Sequence, residues 1–292
     1  MASRPATPAL SDAPLAPGLY LVATPIGNLR DITLRALDVL ASADLVLAED
    51  TRVTAKLFSA YGLSQRLERY DEHAAARVRP KVLAALAEGG RVALVSDAGT
   101  PLVSDPGYRL ATEALAAGAA VYPVPGASAA LAALTASGLP TDRFLFAGFP
   151  PARTAGRRTF YEGLKSVRAT LLVFEGTSRL GASLTDAAAV LGPREAAVAR
   201  ELTKLHETVT RGALADLAAD PSLARPKGEV VVVIGPPAEA DAADLGEAEI
   251  DAALADALSR LSPSEAAREA AAATGLPRRD LYRRALALKG SS

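Results

Sequence analysis

Cysteine is absent from the 292 residues of this chain. Its absence excludes disulfides, iron–sulfur clusters, thiolate-bound zinc and a covalent thiol nucleophile. Imidazole is scarce as well, since only His73 and His206 could supply it. Apolar residues form 50% of the sequence, yet no apolar run approaches the roughly 20 residues that span a bilayer. An excess of charge of either sign is also missing: 32 basic and 33 acidic residues give a formal net charge of −1. The surface therefore carries no global footprint for a polyanion, and any nucleic-acid site has to be local. No G-x-G-x-x-G follows a predicted strand and no G-x-x-x-x-G-K-[ST] occurs, which disfavours dinucleotide and P-loop chemistry. Residues 1–17, MASRPATPALSDAPLAP, are rich in Ala, Pro and Ser without a continuous apolar core. They read as a disordered tail on a cytoplasmic protein with no membrane partner, and not as a secretory signal.

What is present is a regular alternation. From Gly18, short β-branched or leucine-rich runs alternate with Ala/Leu-rich stretches, the pattern of a parallel sheet with crossover helices. Strands are predicted at residues 19–23, 44–48, 66–70, 91–95 and 120–124. Between them, Leu34, Leu37 and Leu40, then Val82, Leu83 and Leu86, then Leu110 and Leu115 recur at helical spacing. After Pro140, strands are predicted at 144–148, 170–175, 197–202, 207–211 and 229–234. The runs 197–202 and 207–211 lie too close for a crossover helix, so an antiparallel pair and a mixed sheet are expected. The reading is therefore an N-terminal α/β domain at 18–140, a second at 141–236, a Pro/Ala/acidic linker at 237–248 and a helical tail at 249–292. In the tail, Ser262-Pro263-Ser264-Glu265 signals a helix start, and Gly275-Leu276-Pro277 separates two helices in a helix-turn-helix-like arrangement.

Three loops at predicted strand ends carry the chemistry. SDAGTPLVSDPG at 96–107 is longer than a simple βα turn needs and lies at the carboxyl edge of the sheet, where open α/β sheets bind ligands. PVPGASAALAAL at 123–134 combines Gly126, which lets the backbone bend, with a helix start near Ser128 whose amides can hold a carboxylate or an adenine edge; capping by Ser128 alone would also explain it. ATPIGNLRDITLRALDVL at 23–40 brings Thr24, Asn28 and Asp31 to the same edge, able to orient a hydroxyl or phosphate, with Asp31 expected to cap the next helix. The second strand ends in AEDTR, adding Glu49, Asp50 and Arg52.

Together, TPIGNLRDITLRAL, AEDTR, SDAGTPLVSDPG, PVPGASA, AGFPP at 147–151, ARELTKLHE at 199–207 and GEVVVVIG at 228–235 resemble, in order, the ribosomal RNA small subunit methyltransferase I family. The resemblance covers nearly all of residues 18–235. It implies the tetrapyrrole-methylase fold, two α/β domains with S-adenosylmethionine in the cleft between them, plus a small helical appendix. It further implies a homodimer that methylates a ribose 2′-hydroxyl of a decoding-centre cytidine in 16S rRNA of the small ribosomal subunit, with no action on DNA. One departure is the string Tyr70-Asp71-Glu72-His73-Ala74, where members carry His-Glu-His-Asn.

By the same resemblance, the cofactor contacts would be Asp97, Ala98, Gly99, Thr100, Ser128, Ala129, Glu175, Ala199 and Glu229. Candidate acceptor-side residues are Asn28, Asp31, Glu49, Arg52, Glu201 and Lys204, of which Lys204 could hold a phosphate or polarise the hydroxyl and Glu201 could accept a proton. A structural ion pair between the last two is the competing account. Local RNA contacts are expected from Arg52, from Arg153, Arg157, Arg158, Lys165 and Arg168, and from Arg278, Arg279, Arg283, Arg284 and Lys289 in the tail, although such runs are commonly solvated helix faces. His73 and His206 have no metal-ligand company, and no metal is expected. A tetrapyrrole C-methyltransferase would share the cofactor loops without a use for the basic tail. A non-catalytic RNA-binding assembly protein would not need the intact loops.

Overall fold

The computed structural model describes residues 14–103, 106–238, 247–274 and 276–290. Five strands, β1 (Gly18–Val22), β2 (Leu45–Ala48), β3 (Leu67–Arg69), β4 (Arg91–Val95) and β5 (Val121–Val124), form one sheet in the order β3-β2-β4-β1-β5. Every pair in it is parallel, so all five carboxyl ends meet at a single edge. Helices α1 (Leu34–Ser42), α2 (Thr51–Tyr61), α3 (Glu72–Ala87) and α4 (Tyr108–Ala116) connect them. Because side chains alternate along a strand, Tyr20, Val22, Val46, Ala93 and Val95 pack with α1 and α2, whereas Leu19, Leu47, Val92 and Leu94 pack with α3 and α4. Each such leucine or valine, fully buried, contributes on the order of 1.5–3 kcal/mol.

Two local expectations change here. The cap of α1 is Thr33, whose hydroxyl accepts the Ala36 N–H, while Asp31 sits in the preceding 3-10 turn. Residues 14–17, expected to be part of a loose tail, are held: Leu15 packs against the first core and Tyr20 Oη donates to the Ala16 carbonyl at 2.7 Å. Residues 1–13 of that expected tail lie outside the described residues.

The second sheet contains β6 (Phe144–Gly148), β7 (Thr170–Glu175), β8 (Glu195–Arg200), β9 (Thr208–Ala213) and β10 (Val230–Ile234), in the order β6-β7-β10-β8-β9. Only β6 and β7 run parallel; the other pairs are antiparallel, including the expected β8–β9 hairpin. Its Leu171, Val173, Val232 and Ile234 face α6 (Thr154–Glu162), α7 (Leu180–Leu191) and α8 (Leu214–Ala219). Its Leu172, Ala197, Val231 and Val233 face α5 (Ala129–Ser137), which follows β5 of the first sheet. Helix α5 is built largely of Ala and Leu and buries Ala130, Ala133 and Leu134 against this second sheet, so both sheets belong to one compact unit ending at Pro236.

A second compact unit begins at Pro237 and is helical over its described residues: α9 (Glu247–Leu258), α10 (Pro263–Thr274) and α11 (Arg278–Gly290). Ile250, Leu254, Ala267, Ala270, Leu281 and Ala285 form its core at helical spacing. The Ser262 N–H and hydroxyl both donate to Glu265 Oε2, at 3.2 and 2.6 Å, which fixes the start of α10 as the sequence pattern predicts. Helix α9 starts at Glu247, so the last two positions of the expected linker are helical, because the acidic Ala-rich run continues into an amphipathic one. The expected linker residues 239–246 and the helix-breaking Gly275 lie outside the described residues.

Candidate functional site

The carboxyl edge of the first sheet and one end of the second enclose a cavity of about 540 Å³. From the first sheet it is lined by Ile26 after β1, Glu49 after β2, Asp97, Ala98, Gly99 and Thr100 after β4, and Ser128 and Ala129 at the start of α5. In the second sheet, antiparallel pairing sets Val230 opposite both Glu175 and Arg200, bringing the end of β7, the end of β8 and the start of β10 together. That end supplies Glu175, Ala199, Gly228, Glu229 and Val231. All nine residues that the resemblance assigned to cofactor contact thus line one cavity.

Each loop is fixed by identifiable bonds. Thr24 is buried, its hydroxyl donating to the Ser96 carbonyl at 3.1 Å and its backbone pairing with Gly99, so it ties β1 to the 96–107 loop and is not free to orient a ligand. Gly99, at φ +92°, has the left-handed backbone that glycine tolerates. Asp97 Oδ1 accepts the Asp50 N–H at 2.9 Å, a bond to the neighbouring strand end. Thr100 Oγ1 donates to the Ala127 carbonyl at 3.2 Å, linking the two glycine-containing loops. Ser128 caps α5 by accepting the Leu131 N–H. Ser104 and Asp105 of the 96–107 loop lie outside the described residues.

Glu175 is nearly completely buried. Its Oε1 accepts from the Gly176 N–H at 2.7 Å and from Arg179 Nε at 3.0 Å, but its Oε2 has no partner among the described residues. Such an oxygen is costly to leave unsatisfied. The apolar wall was not read from the sequence: Phe149, Phe174, Leu202 and Val231 were not singled out, although Phe149 lies within the AGFPP string. Phe149 and Phe174 meet edge to face with centroids 5.5 Å apart.

At the edge of the cavity, the β8–β9 turn folds Glu201 and Lys204 together. Glu201 and Thr203 both adopt left-handed φ, 52° and 65°, a strain on the order of 1–3 kcal/mol each. The turn is held by Glu201 N–H to the Glu229 carbonyl at 2.9 Å, Lys204 N–H to the Glu201 carbonyl at 3.0 Å, and Thr203 N–H to Glu207 Oε2. Lys204 Nζ donates to Glu201 Oε1 at 2.9 Å and to Glu229 Oε2 at 2.8 Å. Partial burial pulls the ammonium pKa down, but the hydrogen bonds to Glu229 and Glu201 outweigh it, so Lys204 titrates above the ordinary lysine value. The Lys204 hydrogen bond and the Glu229 N–H hold Glu201 below the usual carboxylate range.

The remaining expected residues are more scattered. Asn28 is exposed; its side chain accepts the Arg30 N–H and its own N–H donates to Thr203 Oγ1, so it braces the Lys204 turn. Asp31 is exposed and does not line the cavity. Arg52 is exposed and forks onto Asp50, whose carboxyl it holds far below the usual range. His73 lies in the first turn of α3 and His206 at the tip of the β8–β9 turn, both exposed. Among the described residues, no three His, Asp or Glu side chains gather as a metal site.

The largest correction concerns Arg157, expected on a solvated, RNA-facing cluster. Arg157 is buried, its guanidinium 2.5 Å from Asp186 Oδ2, with further bonds to the Ala152 carbonyl at 3.0 Å and Thr154 Oγ1 at 3.3 Å. The spacing of the arginines hid which face of α6 points at α7. Arg158 is half exposed and shares Asp186 at 2.8 Å, whereas Arg153, Lys165 and Arg168 are exposed. In the second unit Arg283 pairs with Asp280 and Arg284 with Asp251, so both are engaged within that unit. Arg278 donates to Ser264 Oγ at 3.1 Å, and Arg279 and Lys289 are exposed.

This architecture is that of the tetrapyrrole methylases. Residues 18–218 match the family described as Tetrapyrrole (Corrin/Porphyrin) Methylases, and residues 244–289 match the RsmI C-terminal HTH domain. Uroporphyrin-III-C-methyltransferase from Thermus thermophilus superposes with a TM-score of 0.54 at 24% identity, covering 78% of this chain and 99% of that one. Diphthine synthase superposes at 0.58 with 18% identity, covering 74% and 89%. These two likenesses concern the fold. Sequence relatives are closer: Ribosomal RNA small subunit methyltransferase I of Mesorhizobium japonicum is 54% identical over 281 residues, 96% of this chain and 95% of that protein. Its namesake from Xylella fastidiosa is 45% identical over 268 residues, 90% and 97%. The chain belongs to the ribosomal RNA small subunit methyltransferase I family.

Proposed function

We propose that the chain transfers the methyl group of S-adenosylmethionine to the ribose 2′-hydroxyl of a decoding-centre cytidine in 16S rRNA of the small ribosomal subunit. The observation that carries this reading is one cavity that combines the carboxylates of Glu49, Asp97, Glu175 and Glu229 with an apolar wall, beside a fixed lysine ammonium. The carboxylates suit a ligand that bears an ammonium, a sulfonium and ribose hydroxyls. The unpartnered Glu175 Oε2 fits a hydrogen-bond donor from such a ligand, and Ile26, Phe149, Phe174 and Val231 fit an adenine ring. The names of the sequence relatives support ribosomal RNA as the acceptor.

When bound, the cofactor supplies a methyl carbon already activated by its sulfonium. The chain's own residues then have to hold the acceptor oxygen in line, and orientation of this kind contributes about 7–11 kcal/mol. Lys204 is cationic and donates all of its bonding to oxygen, so its role is to hold a phosphate or to stabilise the developing oxyanion. Glu201, engaged by Lys204 and by the Glu229 N–H, is a weak base and acts as the residue that positions Lys204. Asn28 braces the same turn from the first sheet. The reading also implies a homodimer working in the cytoplasm, which sedimentation of the purified chain and cell fractionation check.

The test is a single-turnover reaction with methyl-labelled cofactor on small-subunit particles, followed by nucleoside mass spectrometry. Label on a cytidine ribose is expected. Label on a base carbon or nitrogen would overturn the assignment.

A further inference from the structure

Lys204 is held by two carboxylates of unlike freedom. Glu201 is locked: its side chain is 19% exposed, and its Oε1 accepts the Glu229 N–H at 2.9 Å as well as Lys204 Nζ. It also packs over Gly228, where a Cβ would fall 2.3 Å from Glu201 Cδ and where the backbone takes a φ of +98° that glycine tolerates. The lysine stem is locked too, since a Cβ on Gly27 would sit 2.5 Å from Lys204 Cγ. Glu229 differs. Its side chain is 73% exposed, its Oε2 is 2.8 Å from Lys204 Nζ, and among the described residues Lys204 is its ion-pair partner. The residue also lines the cavity.

We propose that Glu229 is an exchangeable ligand that couples the cavity to the acceptor side: drawn toward a donor bound in the cavity, its carboxylate leaves Lys204, whose freed ammonium then takes an anionic oxygen of the incoming RNA backbone. This rests on the reading above that the cavity holds S-adenosylmethionine and that Lys204 meets RNA. Without a cavity ligand, Glu229 competes with phosphate for the same ammonium. With one, the competitor is withdrawn. Occupancy of the cavity therefore raises affinity for RNA, and by linkage RNA raises affinity for the cavity ligand by the same factor.

The test measures binding of the full chain to small-subunit particles lacking the modification, with and without saturating S-adenosylhomocysteine at constant ionic strength. In the native chain, the ligand is expected to tighten RNA binding by about 5-fold or more. In Glu229→Gln, ligand-free RNA binding is expected to be as tight as that of the saturated native chain, and the ligand then changes it less than about 2-fold. Glu201→Gln, which removes the charge of the fixed partner but keeps its oxygen as an acceptor for Lys204, is expected to keep the native ratio. Calorimetry on each variant sets the saturating concentration, and thermal melts confirm folding. A native ratio of one overturns the proposal, as does an unchanged ratio in Glu229→Gln or a lost ratio in Glu201→Gln. Failure of the native chain to bind S-adenosylhomocysteine at all would instead overturn the assignment of the cavity.

Discussion

The backbone N–H of Asn28 donates to Thr203 Oγ1 at 3.0 Å, joining loops that lie 175 positions apart in the chain. One loop leaves β1 of the parallel sheet and the other closes the β8–β9 hairpin of the mixed sheet. Gly27, beside Asn28, lies under the Lys204 stem so closely that any side chain there would collide with it. The position of the lysine ammonium is therefore set by both sheets at once.

Lys204→Ala is expected to lower the rate of methyl transfer by at least about 10²-fold without weakening cofactor binding, because a group acting on the acceptor contributes mainly in the transition state. Single-turnover rates and calorimetric cofactor titrations separate the two. Native turnover in this variant would remove Lys204 from the chemistry.

Asp97→Ala removes a cavity carboxylate and the acceptor for the Asp50 N–H. Cofactor affinity should fall at least about 10-fold, in line with loss of a charged hydrogen bond of about 1.5–3 kcal/mol. Asp97→Asn, which keeps an acceptor for Asp50, should retain the fold and still bind weakly. Native affinity in Asp97→Asn would show that the charge faces no ligand.

Arg157→Met leaves the Asp186 carboxylate buried without its main partner. Destabilisation of about 3–5 kcal/mol is expected in urea unfolding. Arg158→Ala, at the solvent-facing side of the same carboxylate, should cost at most about 1 kcal/mol. Equal losses in the two variants would contradict the burial that distinguishes them.

Acid should weaken the fold through the same carboxylate. Burial pushes the Asp186 carboxyl up, but Arg158 and Arg157 outweigh it, leaving the native pKa below the ordinary 3.8. A lowered native pKa stabilises the folded state above the unfolded value, and that contribution is lost as pH falls through the native value. Unfolding free energies measured between roughly pH 5 and pH 2 should show a slope that diminishes in Asp186→Asn.

A chain ending at Ala238 should keep its cofactor affinity, because every residue lining the cavity belongs to the unit that ends at Pro236. Its affinity for small-subunit particles should drop, and with it the salt dependence of binding, if the arginines of α11 contact phosphate. Unchanged RNA affinity would assign the helical unit a role other than RNA contact.

Much of this protein was legible in its sequence because the signals are local. Short β-branched or leucine-rich runs placed all ten predicted strands within a few residues, the short gap between residues 202 and 207 required the antiparallel hairpin, and the glycine-containing strand ends marked the loops around the cavity. Family resemblance then brought residues as distant as Asp97 and Glu229 to one site. Tertiary structure alone decided the rest, and the reason is directional. Spacing along a chain does not say which neighbour a side chain faces, so Arg157 looked like its exposed neighbours until packing of α6 on α7 buried it against Asp186. Phe149 and Phe174 became a cavity wall only when β6 paired with β7, with a register shift between Phe146 and Gly148 just ahead of Phe149. Glu201 and Lys204 were recognisable as candidates from their place at the polar end of a predicted strand, with an ion pair between them as the competing account. That Glu229 completes their site, one carboxylate largely buried and the other exposed, follows from the pairing of β8 with β10, a contact between segments that no local pattern connects.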